Sequence, residues 1–253
     1  GEVGRASHNR ADRVIVALSN IAAWAFPVLM LVICAQVVLR ASGMNQAWMD
    51  DLQWWLYGGS ALIGIGYAVT TNSHVRVDIF HDRFPERLKA RIEVFALGWL
   101  FLPFILLCWD MTVHYAITSV KTDEGSSSPN GLHNLWILKI FVNVAFVFIA
   151  VATWAALVRN VARLTAPTLG RQLLWAFPTT MFLVNLASYY AIWWAIRLSS
   201  SAEVTDREVS RHPVFDEFDL GVHEIKYTIL ITLVLTILLV GGALWRDRRR
   251  EAR

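Results

Sequence analysis

The stretch LQWWLYGGSALIGIGYAVTTNSHVRVDIF, residues 52–80, joins a long uncharged run to an abrupt polar ending. Its first twenty residues, Leu52–Thr71, carry no charged side chain, and ionisable and apolar side chains then alternate from His74 to Ile79. A helix needs about 20 apolar residues to cross a bilayer core about 30 Å thick. We therefore interpret Leu52–Thr71 as a membrane-spanning helix that ends in a polar segment at the membrane surface.

The same signal recurs along the whole chain. Of the 253 residues, 56% are hydrophobic and only 17% are charged, whereas charged residues make up about 25% of an ordinary soluble domain. The other long apolar runs are Val14–Leu39, Val94–Val120, Ile140–Val158, Leu173–Ile196 and Tyr227–Trp245. The sequence predicts an all-α, polytopic integral membrane protein with about six transmembrane helices and no sizeable soluble domain.

The distribution of basic residues predicts the orientation. Most of the 23 lysines and arginines precede the first run, follow the last, or lie between runs two and three and between runs four and five. Because basic segments stay in the cytoplasm, we place both termini there. The acidic segment between the last two runs then becomes a periplasmic loop. The net charge of +3 is a topology signal and does not indicate binding to nucleic acid.

Small and aromatic residues mark helix two as a packing element. Gly58–Gly66 is rich in glycine and includes Ser60 and Gly64, and small side chains let helices approach closely in lipid. Trp48 suits the outer headgroup layer, and Asp51 in the first helical turn complements the helix dipole. After helix two, the segment from Arg83 has helical amphipathic spacing and is predicted to lie in the membrane interface.

Two charged residues fall inside the predicted membrane region. Asp110 lies in the outer half of run three, and Lys139 lies at a similar depth at the start of run four. Since a charge inside the bilayer is costly, an ion pair between them is one interpretation. In a second, Lys139 reaches the headgroups and Asp110 reaches outer-leaflet water. A proton or ion relay is the third, although it would need several acids stacked through the membrane.

The polar segment after helix two allows three interpretations. If it were helical, His74, Asp78 and His81 would share one face and resemble a metal site. The alternation of period two favours extended chain instead, as in a soluble strand or a hinge. We prefer a docking hinge in which Arg76 and Asp78 pair or bind the open carbonyls at the helix end. The prediction is accordingly that the chain binds no metal.

The remaining histidines leave a weaker alternative. His114 is the only histidine within a predicted span, while His133 and His223 lie on the same outer side, which leaves an outer haem site open. No phosphate-binding loop, nucleophile elbow or paired catalytic carboxylates occur in the sequence. We therefore predict a protein without cofactor that is not an enzyme.

The motifs, taken in order, resemble a known family. They are WMDDLQWWL, GGSALIGIGYAV, HVRVDIF, and GSSSPNGLHNLWILK running into IFVNVAFVFIAV. Together they cover about Val14–Leu164 and resemble the small membrane subunit, DctQ type, of tripartite ATP-independent periplasmic (TRAP) transporters.

The resemblance implies a partner and a role. It implies a non-catalytic scaffold subunit in the bacterial inner membrane, which partners a large permease subunit of DctM type and a periplasmic solute-binding protein. In that family the large subunit carries the substrate and sodium sites and imports an organic acid or related solute. The matching positions would be structural or interface residues: Trp48, Asp51, His74, Arg76, Asp78, Ser128, Pro129 and Lys139, beside Gly64 from the small-residue helix.

The last third of the chain departs from the family pattern. Family members commonly end after four spans, whereas this chain adds a transmembrane hairpin. We therefore divide it into a DctQ-like four-helix domain, residues 1–165, and a C-terminal extension, residues 166–253. The alternatives left open are an accessory subunit of the same fold in another membrane complex and a haem-binding redox membrane anchor.

Overall fold

A computed structural model describes residues 8–73, 83–200, 205–220 and 223–252. The chain divides into two compact units, Gly1–Asn160 and Val161–Arg253, which are described separately. Helices dominate both units, which confirms the all-α prediction.

The described residues of the first unit form helices and the loops that join them. They are α1 (Arg10–Ala23), α2 (Ala25–Ala41), α3 (Ala47–Thr71), α4 (Glu86–Phe95), α5 (Leu102–Lys121) and α6 (Trp136–Ala162), whose last two residues extend into the second unit. A π-helical segment, Ala96–Phe101, joins α4 to α5 without a loop.

Prolines account for the breaks within the long apolar runs. A proline lacks the N–H that would bond back one helical turn, so the helix before it is interrupted. Trp24 separates α1 from α2 three residues before Pro27, and the π-helical segment ends just before Pro103. These prolines therefore coincide with local breaks in helical geometry.

Glycines of α3 bring α6 close to it. A Cβ atom added to Gly59 would lie 3.0 Å from the Phe141 ring, and one added to Gly66 would lie 2.6 Å from the Phe148 ring. The rings of Phe141 and Phe148 therefore occupy the space that a side chain at Gly59 or Gly66 would need. The buried apolar residues of this unit include Ile15, Val69, Val94, Ile105, Ala145 and Ile149.

Four helical stretches in the described part of the chain are long and apolar enough to cross a membrane. They are Arg10–Ala41, Glu86–Lys121, Trp136–Ala162 and Tyr227–Glu251. This confirms a polytopic membrane protein. The prediction of about six spans needs two more, which would be α3 and the helix Phe177–Ser199. At 1.5 Å per residue these are about 37 Å and 34 Å long, so they have the length. Their glycines, tyrosines and tryptophans make them less apolar, and their crossing stays a prediction.

The second unit combines two long helices with a small cap. Its elements are α7 (Leu169–Trp175), α8 (Phe177–Ser199), α9 (Asp206–Val209), a 3-10 turn (Pro213–Phe215), β1 (Glu217–Leu220), β2 (His223–Lys226) and α10 (Tyr227–Glu251). Ala176 separates α7 from α8 two residues before Pro178, so the predicted run Leu173–Ile196 is divided. The two strands pair antiparallel, with Glu217 opposite Lys226. The sequence did not predict this hairpin.

Helix α10 packs against α7 and α8 through a column of small residues. Thr228, Thr232 and Thr236 lie at intervals of four and are buried. The Thr236 hydroxyl donates to the Thr232 carbonyl at 2.7 Å, which satisfies it within its own helix. At the far end of α10, a Cβ on Gly170 would lie 2.7 Å from the backbone nitrogen of Leu244. Only glycine fits this crossing of α7 and α10.

Candidate interface site

A carboxylate at the start of α3 holds the loop between α5 and α6, residues 122–135. One Oδ atom of Asp51 accepts the backbone N–H of Leu132 at 2.9 Å. The loop also closes on itself, because the Ser126 N–H donates to the Leu132 carbonyl at 3.0 Å. Two residues 81 positions apart are thereby joined, and Asp51 binds a loop as well as lying at a helix start.

Ser128 and Pro129 shape the turn that brings this loop to Asp51. The Gly131 N–H donates to the Ser128 carbonyl at 2.9 Å, which closes a four-residue turn. Asn130 has a φ of 58°, in the left-handed region that asparagine tolerates, and proline presets the preceding φ. A Cβ on Gly131 would lie 2.7 Å from the Asp51 carboxylate. The turn therefore ends in Gly131, and because this residue has no side chain, the Asp51 carboxylate can approach the backbone.

Lys139 ties the first turn of α6 to the same loop. Its ammonium bonds the Glu124 carboxylate, and it lies 3.5 Å from the centroid of the Tyr115 ring. The residue is only 8% exposed, so both contacts compensate its burial. The hydrogen bond from Lys139 lowers the pKa of Glu124 below its ordinary value. Glu124 was not predicted from the sequence, although an acid at the end of an apolar run was a usable signal.

One helical turn further, Asn143 continues this polar connection between α5 and α6. The Thr112 hydroxyl donates to the Asn143 side-chain oxygen at 3.1 Å, and the Asn143 amide donates to the Lys139 carbonyl at 2.8 Å. The predicted ion pair of Lys139 with Asp110 stays a prediction. Any such pair would have to share an ammonium group that already contacts Glu124.

A second polar cluster joins the end of α2 to the start of α3. The Asp50 carboxylate accepts the Gln36 side-chain amide at 2.7 Å and the Arg40 guanidinium at 2.8 Å. The Gln53 amide also donates to the Gln36 side-chain oxygen. Neither this contact nor the role of Gln36 was predicted from the sequence. The available signal was a glutamine within an otherwise apolar run, and in the structure Gln36 is only 6% exposed.

A buried ion pair lies at the opposite end of α3. The Arg159 guanidinium of α6 bonds the fully buried Asp12 carboxylate of α1 and donates to the Thr70 carbonyl at 2.9 Å. Asn9 and Asp12 also cap the start of α1 reciprocally, each side chain accepting the other's N–H at 2.9 Å. The sequence analysis counted Arg159 only as a topology charge, because its partner is 147 positions away.

Other predicted positions lie apart from these contacts. Trp48 is 39% exposed, and its indole N–H donates to the Gln46 side chain at 3.1 Å. Gly64 is exposed, and a Cβ added there would meet no atom within 4 Å. The predicted docking hinge, with His74, Arg76 and Asp78, lies outside the described residues, as does the alternative metal site that includes His81.

The histidines and acids of the described segments form no group of three that could hold a metal. We refer to these polar contacts as ties, because each of them joins two or three helices, or a helix and a loop, through a charged or amide side chain. The haem alternative named His114, His133 and His223. That alternative stays untested.

Comparison with known proteins adds one finding. A family model described as "Tripartite ATP-independent periplasmic transporters, DctQ component" matches residues 29–163, more than half of the chain. No curated protein and no solved structure matches it. The matched residues include Asp51, the Ser128–Pro129 turn and Lys139, so these ties lie within the matched region.

Proposed function

This chain belongs to the DctQ component family of tripartite ATP-independent periplasmic transporters, as its sequence motifs predicted, and on that premise we propose that it is the small, non-catalytic membrane subunit of such a transporter. In this proposal it braces a large permease subunit of DctM type in the bacterial inner membrane. The large subunit carries the substrate and sodium sites, and a periplasmic solute-binding protein delivers an organic acid or related solute.

The observation that carries this proposal is the family match across residues 29–163. The geometry within that range supports a bracing role. Asp51 binds the backbone of the α5–α6 loop, Lys139 binds Glu124, and Asp50 binds Gln36 and Arg40. These charged side chains are committed to holding helix ends together. A static frame needs such ties, because apolar contacts between helices in lipid gain little from the hydrophobic effect.

The open face of α3 is where we place the large subunit. Gly64 has no atom within 4 Å of an added Cβ, whereas an added Cβ on Gly59 or Gly66, on the other side of the helix, would meet aromatic rings of α6. Backbone that is exposed on a membrane helix allows another helix to approach closely. Trp48, at the start of the same helix, would lie at the rim of this contact.

Residues 164–253, which lie beyond the family match, favour one alternative. A chain with an additional unit can serve as an accessory subunit of the same fold in another membrane complex. The two proposals differ in the partner that they require, and so they can be separated by identifying that partner.

Co-purification tests the proposal. The full chain, carrying an affinity tag, is isolated from its native membrane in a mild detergent, and its partners are identified by mass spectrometry. We expect one large polytopic permease in near-stoichiometric amount. Recovery of a different, stable membrane complex without a permease would support the accessory-subunit alternative. Solute uptake by vesicles that contain this chain alone would contradict a scaffold role.

A further inference from the structure

The end of α10 carries a concentrated basic surface. Arg246, Arg248, Arg249 and Arg250 are all exposed, and they directly follow Trp245, which is 57% exposed. They lie where an apolar, membrane-length helix ends. Clusters of basic residues directly after a transmembrane helix attract anionic lipid headgroups.

The two acids in this segment bind groups outside it, and Asp247 also attracts Arg246 and Arg250 from its buried position. Asp247 is only 7% exposed and accepts the backbone N–H of Gly170 at 2.7 Å, so it is committed to holding α7. Glu251 is bound to the Arg171 guanidinium at 3.1 Å. The exposed side of the segment is therefore more basic than its sequence, RDRRRE, indicates.

Trp245 and Arg249 form a fixed pair at this surface. The Arg249 guanidinium lies 3.7 Å from the centroid of the Trp245 ring. Stacking on an indole leaves the N–H edge of the guanidinium available, and that edge suits the oxygens of a phosphate. Tryptophan itself favours the headgroup layer. In the headgroup layer that tryptophan favours, the pair would present an anion-binding group to lipid phosphates.

Helix α7 adds an apolar flank to the same end of the unit. Leu169 and Leu174 are 45% and 48% exposed, and α7 is attached to α10 at Gly170. A surface that combines exposed leucines with arginines matches both parts of a lipid, its acyl chains and its charged head.

We propose that the basic end of α10, together with α7, binds anionic phospholipids of the phosphatidylglycerol type through their headgroup phosphates. The residues of this contact lie outside the family match, so the inference goes beyond the proposed function. If these arginines served only to orient the helix during membrane insertion, the stacking of Arg249 on Trp245 would not be needed. The inward contacts of the neighbouring acids would not be needed either.

The test measures the lipid that the full-length protein retains. The purified chain in neutral detergent is mixed with equal amounts of phosphatidylglycerol and phosphatidylcholine of identical acyl composition, and bound lipid is counted by native mass spectrometry. The variant is R249Q/R250Q. Its matched control is R207Q/R211Q, which removes the same charge from exposed positions near α9. Thermal unfolding verifies that each variant is folded.

We expect the wild-type protein to retain phosphatidylglycerol preferentially, and R249Q/R250Q to lose affinity about fivefold for each arginine removed, as about 1 kcal/mol per basic residue implies. High salt should weaken retention. Equal loss in both double variants, or retention unchanged in R249Q/R250Q, would overturn the proposal. So would full displacement by inorganic phosphate or by a polyanion without acyl chains, since either would indicate an unspecific anion site.

Discussion

Asp51 illustrates how one carboxylate can hold a loop without a side-chain partner. Its acceptor oxygen meets the backbone N–H of Leu132, next to a glycine that leaves room for it. Motif order singled out Asp51, Ser128 and Pro129 from the sequence, and the turn at Ser128–Pro129 agrees with the turn chemistry of proline and asparagine, but their role as interface residues stays a prediction. The contact itself was not predictable, because every residue other than proline has a backbone N–H.

Replacing Asp51 with alanine should therefore free the α5–α6 loop. A hydrogen bond to a charged acceptor is worth about 1.5–3 kcal/mol, so we expect Asp51→Ala to lower stability by roughly that amount. Asp51→Asn keeps an acceptor and should lose less. Thermal unfolding in detergent and proteolysis at the loop measure the two effects. Equal stability of the alanine variant and the wild type would contradict the tie.

The partner of Lys139 can be identified by double-mutant cycles. Because Lys139 contacts Glu124, the changes Glu124→Gln and Lys139→Met should be non-additive by at least 0.5 kcal/mol in unfolding free energy. The parallel cycle with Asp110→Asn tests the pair predicted from sequence. Additivity in the first cycle and coupling in the second would assign the lysine to Asp110.

The pH dependence gives an independent control for the Glu124 contact. The pKa of Glu124 is lowered in the folded state, so its contribution is present above the ordinary value of 4.5 and is lost as the pH falls through the lowered pKa. The stability difference between wild type and Lys139→Met should therefore shrink below about pH 4.5. A difference that stays constant down to pH 3 would point to another partner.

At the scale of elements, the length of the apolar runs predicted most of the helices. The long apolar runs form helices, and a break in helical geometry precedes each of Pro27, Pro103 and Pro178. Two features were not predictable in the same way. The β1–β2 hairpin occupies only ten residues inside an acidic loop, and the pair Asp12–Arg159 joins residues that no local pattern connects.

The two sides of α3 should respond differently to the same substitution. Gly66→Ala would place a Cβ 2.6 Å from the Phe148 ring, and overpacking of this kind costs about 1–3 kcal/mol. Gly64→Ala meets no atom within 4 Å, so the isolated chain should keep its stability. If the large subunit covers this face, Gly64→Ala should instead reduce co-purification. Thermal unfolding and pull-down yield separate the two effects, and a destabilised Gly64→Ala chain would contradict the assignment of faces.

At the scale of the whole molecule, the number of crossings decides the topology. Composition predicted six spans, and four helical stretches of the described chain meet the length and apolarity that a crossing needs. The two predicted spans outside this set of four are α3 and α8. Their aromatic and small residues suit helix contacts and membrane interfaces, and they make both helices less apolar. Sequence composition cannot separate these two roles, because a tryptophan suits both a membrane interface and a helix contact.

Cysteine labelling in intact cells tests these two crossings. In a chain whose Cys34 and Cys108 are replaced by serine, single cysteines are placed at Met44 and Arg83, on either side of α3. If α3 crosses, a membrane-impermeant maleimide should label the cysteine at 44 from outside and the cysteine at 83 only after permeabilisation. Labelling of both from the same side would exclude the crossing. Cysteines at Thr168 and Thr205 test α8 in the same way.

The first helical stretch, Arg10–Ala41, contains the uncharged run Val14–Leu39, which is about 39 Å long as a helix, against a hydrocarbon core of about 30 Å. Such an excess has to be accommodated by leaning, by bending at Trp24, or by a locally thickened bilayer. The protein is therefore expected to prefer thick membranes over thin ones. Lipids with short tails should make α1 and α2 tilt or bend further, a movement that the contact between Asp12 of α1 and Arg159 of α6 would oppose.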